Sequence, residues 1–109
     1  MPSGFSILIP TFGRVQYLER LVQALQVAKD RFEYPTETLF IDDTPAPECK
    51  LIQELAEHYS CRYISGSHSV AAKRNRGIQE ANYDYVLFID SDCEPTPDVL
   101  VEHWKSLTS

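Results

Sequence analysis

Two carboxylates held two residues apart, in Asp90-Ser91-Asp92, are the groups of this chain best suited to chemistry. In extended backbone, side chains two apart point the same way, so Asp90 and Asp92 are expected to face one point in space. Two like charges about 4 Å apart repel by roughly 4 kcal/mol at an effective dielectric of about 20. A shared proton, a nearby arginine or a divalent cation each relieves that repulsion, and hard oxygen ligands favour magnesium or manganese over zinc. The structural alternative is that one Asp caps the helix that follows and the other is solvated. A second acidic pair, Asp42-Asp43, closes another apolar run, and the cations Lys73, Arg74 and Arg76 fall between the two pairs.

These groups act together only if the backbone gathers them. The apolar run Tyr85-Val86-Leu87-Phe88-Ile89 is too short for a stable isolated helix and is followed at once by acids and Pro95, so Asp84 to Ile89 reads as a fourth strand, buried on both faces. Phe5–Ile9 is a first strand stopped by Pro10, Thr38–Ile41 a second ending in Asp42-Asp43-Thr44, and Cys61–Ile64 a third. Leu18, Leu21, Val22 and Leu25 give one helix a stripe, from Arg14 to near Ala28. Leu51, Ile52, Leu55, Ala56 and Tyr59 mark a second after an entry turn at Pro45 and Pro47. Ser69 caps a third running from Val70 to near Ala81. Thr96, Pro97 and Asp98 open a fourth as N-cap, first-turn proline and acid, with Leu100, His103, Trp104 and Leu107 as its stripe.

Strand-helix alternation with right-handed connections predicts the α/β class: a Rossmann-like parallel sheet, strand order 3-2-1-4, flanked by helices. Ligands of such sheets bind at the carboxyl edge. That edge collects Pro10-Thr11, Asp42-Asp43-Thr44 and Asp90-Ser91-Asp92, with Asp43 and Asp92 on the same side. Lys73, Arg74 and Arg76 fall in the first two turns of the third helix, where cations oppose the macrodipole. A bound anion would account for them, and a solvated basic face is the plain alternative. There is no GxGxxG and no GxxxxGK[ST], so the ordinary phosphate cradles are missing.

Composition narrows the choice further. The 109 residues suit one domain, 1–109, that buries roughly 60–70% of its unfolded surface. Ten Lys and Arg against sixteen Asp and Glu leave a net charge of −6, which argues against nucleic acid or an anionic membrane as the main partner. Cys49, Cys61 and Cys93 are odd in number and widely spaced, as expected of reduced thiols rather than structural zinc. With no apolar run of membrane-spanning length and no signal peptide, the expected location is the cytoplasm. His58, His68 and His103 lack metal spacing, and of these His68, in the loop Ser65–Ser69, is the expected ligand contact. Cys93 reads as a small filler and Trp104 as core.

Four segments in order, Ile7-Leu8-Ile9-Pro10-Thr11-Phe12-Gly13-Arg14, Phe40-Ile41-Asp42-Asp43, Ala71-Ala72-Lys73-Arg74-Asn75-Arg76-Gly77-Ile78 and Leu87-Phe88-Ile89-Asp90-Ser91-Asp92, carry a resemblance. They resemble the signatures of family-2 glycosyltransferases of the GT-A fold, and cover nearly the whole chain. The resemblance implies a hexosyltransferase-like site for a UDP- or GDP-activated sugar with Mg²⁺ or Mn²⁺. Position by position, it implies that Pro10, Thr11 and Asp43 frame the base and that Arg74 reaches base or phosphate. It further implies that Asp90 approaches the ribose and Asp92 binds the metal, with Asp90 beside it. Arg14, Asp42, Lys73 and Ser91 complete the nucleotide-sugar set. The implied reaction is inverting: a base deprotonates an acceptor hydroxyl for in-line attack while the metal steadies the departing diphosphate.

The chain departs from the pattern in three places: Gly13 replaces the usual Asn, Thr44-Pro45 the usual Gly-Ser after the acids, and Cys93 a frequent third acid. Family members continue into a half that binds the acceptor and supplies the base. The chain therefore reads as the donor side alone, truncated after the D-x-D motif, with base and acceptor unknown. Slow donor hydrolysis at most, and either self-association or aggregation through an exposed face of the last helix around Trp104 and Leu107, are the expected consequences. A non-catalytic module that binds nucleotide sugar is the main alternative. A haloacid-dehalogenase-type phosphatase fits less well, because Glu94 stands where Thr or Val is normal and the motif lies far from the N-terminus.

Overall fold

The computed structural model describes residues 3–108. Its elements alternate as β1 (Phe5–Thr11), α1 (Val15–Asp30), β2 (Thr36–Asp42), α2 (Cys49–His58), β3 (Arg62–Ser65), α3 (Val70–Glu80), β4 (Tyr85–Phe88) and α4 (Val99–Thr108). All strand pairs are parallel and the order is β3-β2-β1-β4, as the alternation predicts.

Period-2 alternation on β1 divides the core into two layers. Phe5, Ile7 and Ile9 point to one face, where they meet Leu18, Leu21, Val22 and Leu25 of α1, Ile52 and Leu55 of α2 and Leu100 of α4. Leu8 points to the other face with Leu39, Ile41 and Ile64. Each such side chain, fully buried, contributes about 1.5–3 kcal/mol, so the first layer supplies most of the apolar stabilisation. The second layer is covered by α3, which approaches closely because Gly77 carries no side chain. A Cβ there would lie 2.7 Å from Leu8 Cδ1 and 3.2 Å from Ile41 Cδ1.

Several expectations need correcting. β1 does not stop at Pro10 but runs on to Thr11, paired with Asp42. The carbonyl of Leu8 accepts from the N–H of Ile89, so Leu8 and, two residues on, Pro10 turn their backbone polar groups towards β4. β4 ends at Phe88, and the N–H that Pro10 lacks therefore has no strand opposite it. β4 is not buried on both faces. It is an edge strand whose residues are half-buried, and Phe88 is exposed, because among the described residues no strand pairs outside it. The fourth helix begins at Val99 after a turn in which the Val99 N–H reaches the Thr96 carbonyl. Leu51 and Leu107 lie outside their helical stripes and are exposed. Trp104 is half-buried and turned inward, stacked on Tyr34 with centroids 4.3 Å apart and edge-on to Phe5, Phe32 and Tyr85. Cys93 is exposed rather than a filler.

At the amino-terminal edge, Glu37 ties the ends of the elements together. Its carboxylate accepts from Ser6 Oγ at 2.6 Å, Arg62 Nη1 at 3.1 Å, the Asn82 N–H at 2.6 Å and Asn82 Nδ2 at 3.1 Å. Arg62 also donates to the Glu80 carbonyl at 2.7 Å and to Glu80 Oε1 at 3.0 Å. Burial pushes the Glu37 pKa up, but the bonds from Ser6, Asn82 and Arg62 outweigh it and hold the carboxyl below its ordinary value of 4.5. A depressed folded pKa stabilises the fold above the unfolded value and loses that contribution as pH falls through the folded one. Glu37→Gln is therefore expected to lower stability by about 1–3 kcal/mol at pH 7, with the gap closing as the pH is taken below 4.5. Urea denaturation of both proteins across that range is the measurement.

Candidate functional site

The carboxyl edge of the sheet opens into a cleft of about 390 Å³. Pro10, Thr11, Phe12 and Arg14 line it from the end of β1, Val70 and Lys73 from α3, and Asp90, Ser91 and Asp92 from the end of β4. The β1–α1 turn is built from two successive left-handed residues, Gly13 at φ 62° and Arg14 at φ 54°, ψ 44°. Glycine adopts this conformation freely, whereas an L side chain costs about 1–2 kcal/mol there. The turn leaves α1 without a side-chain cap. Its support comes across the sheet instead, from the Gly13 N–H donating to Thr44 Oγ1 at 2.8 Å.

Asp90 and Asp92 do not alternate along an extended strand as expected. β4 ends at Phe88, and the Cys93 N–H donates to the Asp90 carbonyl at 3.0 Å, so the two acids leave a turn. Both still face the cleft. Asp92 Oδ2 lies 3.8 Å from Arg14 Nη1, with both side chains more than half exposed, a pair worth under about 1 kcal/mol. Asp90, Ser91 and Asp92 offer carboxylate and hydroxyl oxygens, a donor set that fits Mg²⁺ or Mn²⁺ and not zinc. Among the described residues no group of three or more His, Cys, Asp or Glu is placed to hold a metal ion by itself.

Behind this rim the acids of β2 diverge. Asp42 is fully buried and accepts three hydroxyls: Thr11 Oγ1 at 2.7 Å and Thr44 Oγ1 at 2.6 Å on Oδ1, and the Tyr63 phenol at 2.6 Å on Oδ2. Burial, then the bond to Asp42, pushes the Tyr63 pKa up to about 12, so the phenol keeps the proton it donates. Asp43 points to the opposite face, where Lys73 Nζ meets its Oδ1 and His68 Nδ1 lies 3.3 Å from its Oδ2. Burial works against the Asp43 carboxylate, but the bonds and charges of Lys73 and His68 outweigh it and hold its pKa below 3.8. Lys73 Nζ also donates to the Thr11 carbonyl at 2.7 Å and lies 5.7 Å from the Phe12 ring centre.

The structure thus brings Pro10, Thr11, Arg14, Lys73, Asp90, Ser91 and Asp92 to one cleft and sets Asp42 and Asp43 behind it. Lys73 is 4% exposed and engaged by protein groups, not a free first-turn cation. Arg74 lies outside the cleft lining, its guanidinium 5.2 Å from the Phe88 ring centre. Arg76 pairs with Glu80 at 3.4 Å. Sequence reasoning placed Thr44 at this edge without a role, and it missed Phe12 and Val70. An aromatic between Thr11 and a turn glycine is a readable signal for Phe12, 59% exposed at the mouth. Nothing in the sequence marks Val70 or the cross-sheet bond of Thr44.

The model of the glycosyl transferase family 2 domain matches residues 6–109. The chain belongs to that family. Among curated relatives, it is 29% identical over 96 residues to the chondroitin synthase of Pasteurella multocida, a match covering 84% of this chain and 10% of that protein. The chain therefore spans about a tenth of the length of that relative. The glycosyltransferase fold is matched by the mannosyltransferase PcManGT of Pyrobaculum calidifontis, solved in complex with GDP-Man and Mn²⁺. The TM-score is 0.78 at 17% identity, over all of this chain and 35% of that one. It is matched also by residues 1–349 of TarS from S. aureus in complex with UDP, with TM-score 0.71 and 23% identity over 93% of this chain and 31% of that one.

The buried pair in this glycosyltransferase domain yields a stability test. Removing one partner of a buried ion pair strands the other charge and costs about 3–5 kcal/mol. Lys73→Met is expected to lose stability on that scale, and Lys73→Met with Asp43→Asn to recover a large part of it. Chemical denaturation of the two single variants and the double variant measures the coupling.

Proposed function

We propose that this domain binds a nucleoside-diphosphate sugar, with UDP or GDP as the nucleotide, and holds it for inverting transfer of the sugar to an acceptor. The observation that carries the reading is the cleft itself, where Asp90, Asp92, Arg14 and the buried Lys73 line one space of about 390 Å³ at the carboxyl edge of the sheet. An all-acid rim would repel a diphosphate and an all-basic rim would need no cation. A mixed rim suits a diphosphate bridged to carboxylates by a divalent ion. Asp92 and Asp90 are the residues that would hold Mg²⁺ or Mn²⁺, which when bound supplies Lewis-acid stabilisation of the diphosphate as it departs. The likeness to a mannosyltransferase solved with GDP-Man and Mn²⁺, and to TarS solved with UDP, supports both choices.

The chain's own residues divide the remaining work. Phe12 offers an exposed aromatic face at the cleft mouth, on which a nucleobase can stack. Arg14 offsets the charge of Asp92 and stands within reach of phosphate oxygens. Lys73 keeps Asp43 charged and fixed beside the Thr11 carbonyl, so the floor of the site stays polar and oriented. Acceptor binding and the base that deprotonates the acceptor hydroxyl are assigned to sequence outside residues 1–109, in keeping with the small share of its relatives that this chain spans.

Calorimetric titration of UDP and of GDP, with Mn²⁺ and then with chelator, tests the proposal. One of the two is expected to bind at least about tenfold more tightly with the metal. Asp92→Asn should remove most of the metal-dependent gain, and Arg14→Ala should weaken binding even at saturating metal. Equal affinity after chelation would rule out the bridging cation, and no binding of either nucleotide would sink the reading.

A further inference from the structure

We infer that Thr44, backed by Asp42 and Tyr63, is a positioning group that holds the β1–α1 turn in place, so that Phe12 and Arg14 depend on a hydroxyl that never meets the ligand. The connection to nucleotide binding rests on the function proposed above. The positioning itself rests on geometry alone.

The Thr44 hydroxyl is buried and has one proton. It gives that proton to Asp42 Oδ1 at 2.6 Å, which leaves its lone pairs for the Gly13 N–H at 2.8 Å. The direction of the relay is fixed because Asp42 only accepts: Thr11 Oγ1 shares Oδ1 at 2.7 Å and the Tyr63 phenol occupies Oδ2 at 2.6 Å. Asp42 has no exposed surface with which to meet a ligand, so the resemblance-based role of direct nucleotide contact does not suit it. The turn it supports is not self-sustaining. Gly13 and Arg14 are both left-handed, and α1 begins at Val15 without a side-chain cap. The same turn carries two cleft-lining side chains, Phe12 and Arg14. Where the resembled family has Gly-Ser after the acids, this chain has Thr44-Pro45, so the hydroxyl that reaches Gly13 comes from the position of the departure.

Thr44→Val keeps the shape and removes both bonds, whereas Thr44→Ser keeps the hydroxyl. Glu37→Gln, at the far edge of the sheet, serves as a control for loss of stability without change at the cleft. Hydrogen exchange at the Gly13 amide is expected to quicken about tenfold or more in Thr44→Val, and to return towards wild type in Thr44→Ser. With UDP and GDP, each in the presence of Mn²⁺, the dissociation constant of the nucleotide that binds is expected to rise about tenfold in Thr44→Val. It should recover in Thr44→Ser and stay unchanged in Glu37→Gln. Unchanged Gly13 exchange in Thr44→Val overturns the positioning role, as does an affinity loss that Glu37→Gln reproduces. Failure of the wild-type chain to bind either nucleotide counts against the proposed function alone, because the amide measurement tests the relay without any ligand.

Discussion

The ammonium of Lys73 is shared by the ends of two strands at the carboxyl edge. It sits 4% exposed between the Thr11 carbonyl, the Asp43 carboxylate and the ring of Phe12, and so joins the ends of β1 and β2 to the first turn of α3. A buried charge of this kind is tolerated only when its partners are fixed, and here they are fixed by parallel strand pairing that carries Thr11 level with Asp42. The reach also depends on how closely α3 lies on the sheet. Gly77, one turn further along, allows the helix to settle against Leu8 and Ile41, and that approach brings Lys73 down to the strand ends. A packing constraint on one residue thus sets the electrostatics of another, and the polar floor of the cleft follows from both.

The two edges of the sheet use charge differently. At the amino-terminal edge Glu37 gathers four donors from β1, β3 and the segment after α3, two on each carboxylate oxygen, which commits that carboxylate to the fold. At the carboxyl edge the inner acids Asp42 and Asp43 are equally committed, but Asp90 and Asp92 are not, and their only described ion pair is the loose, exposed one to Arg14. Closed networks rigidify and loosely paired charges remain available. The contrast supports the reading of the carboxyl edge proposed above, alongside the general rule that such sheets bind ligands there.

Most of the fold was legible because local and global signals agreed. The Leu18, Leu21, Val22 and Leu25 stripe, the Ser69 cap and the apolar run Thr38–Ile41 each appear where their patterns place them, and the strand order follows from alternation and handedness. Ser69 Oγ does accept from the Ala72 N–H at 3.0 Å. What was illegible depended on neighbours that no local pattern names. The sequence of β4 suits a central strand, and only the sheet order makes it an edge. Pro10 reads as a stop, yet on the side of β1 where it lacks an N–H, β4 ends before reaching its level. The i, i+2 argument for Asp90 and Asp92 assumed extended backbone, and the strand ends two residues before the first of them. Lys73 and Arg74 read as one basic cluster, but adjacent positions on a helix point about 100° apart, so one is buried beside Asp43 and the other lies over Phe88.

The same rule of direction decides how the paired acids of β2 are read. Consecutive residues in extended backbone point to opposite faces, and Asp42, the last residue of β2, and Asp43, the one after it, do so here instead of converging on one ligand as a pair spaced i and i+2 could. The core shows the division already in the two residues before them: Phe40 belongs to the layer under α1 and α2, Ile41 to the layer under α3. Asp42 continues the first direction and meets Thr11, Thr44 and Tyr63. Asp43 continues the second and meets Lys73 and His68. Neighbouring acids in sequence therefore belong to separate networks, each fastening a different loop to the sheet. Two adjacent carboxylates at a strand end invite the idea of a shared cation. The pleat forbids that here, and it leaves Asp90 and Asp92, released from the strand into a turn, as the acids that meet in one cleft.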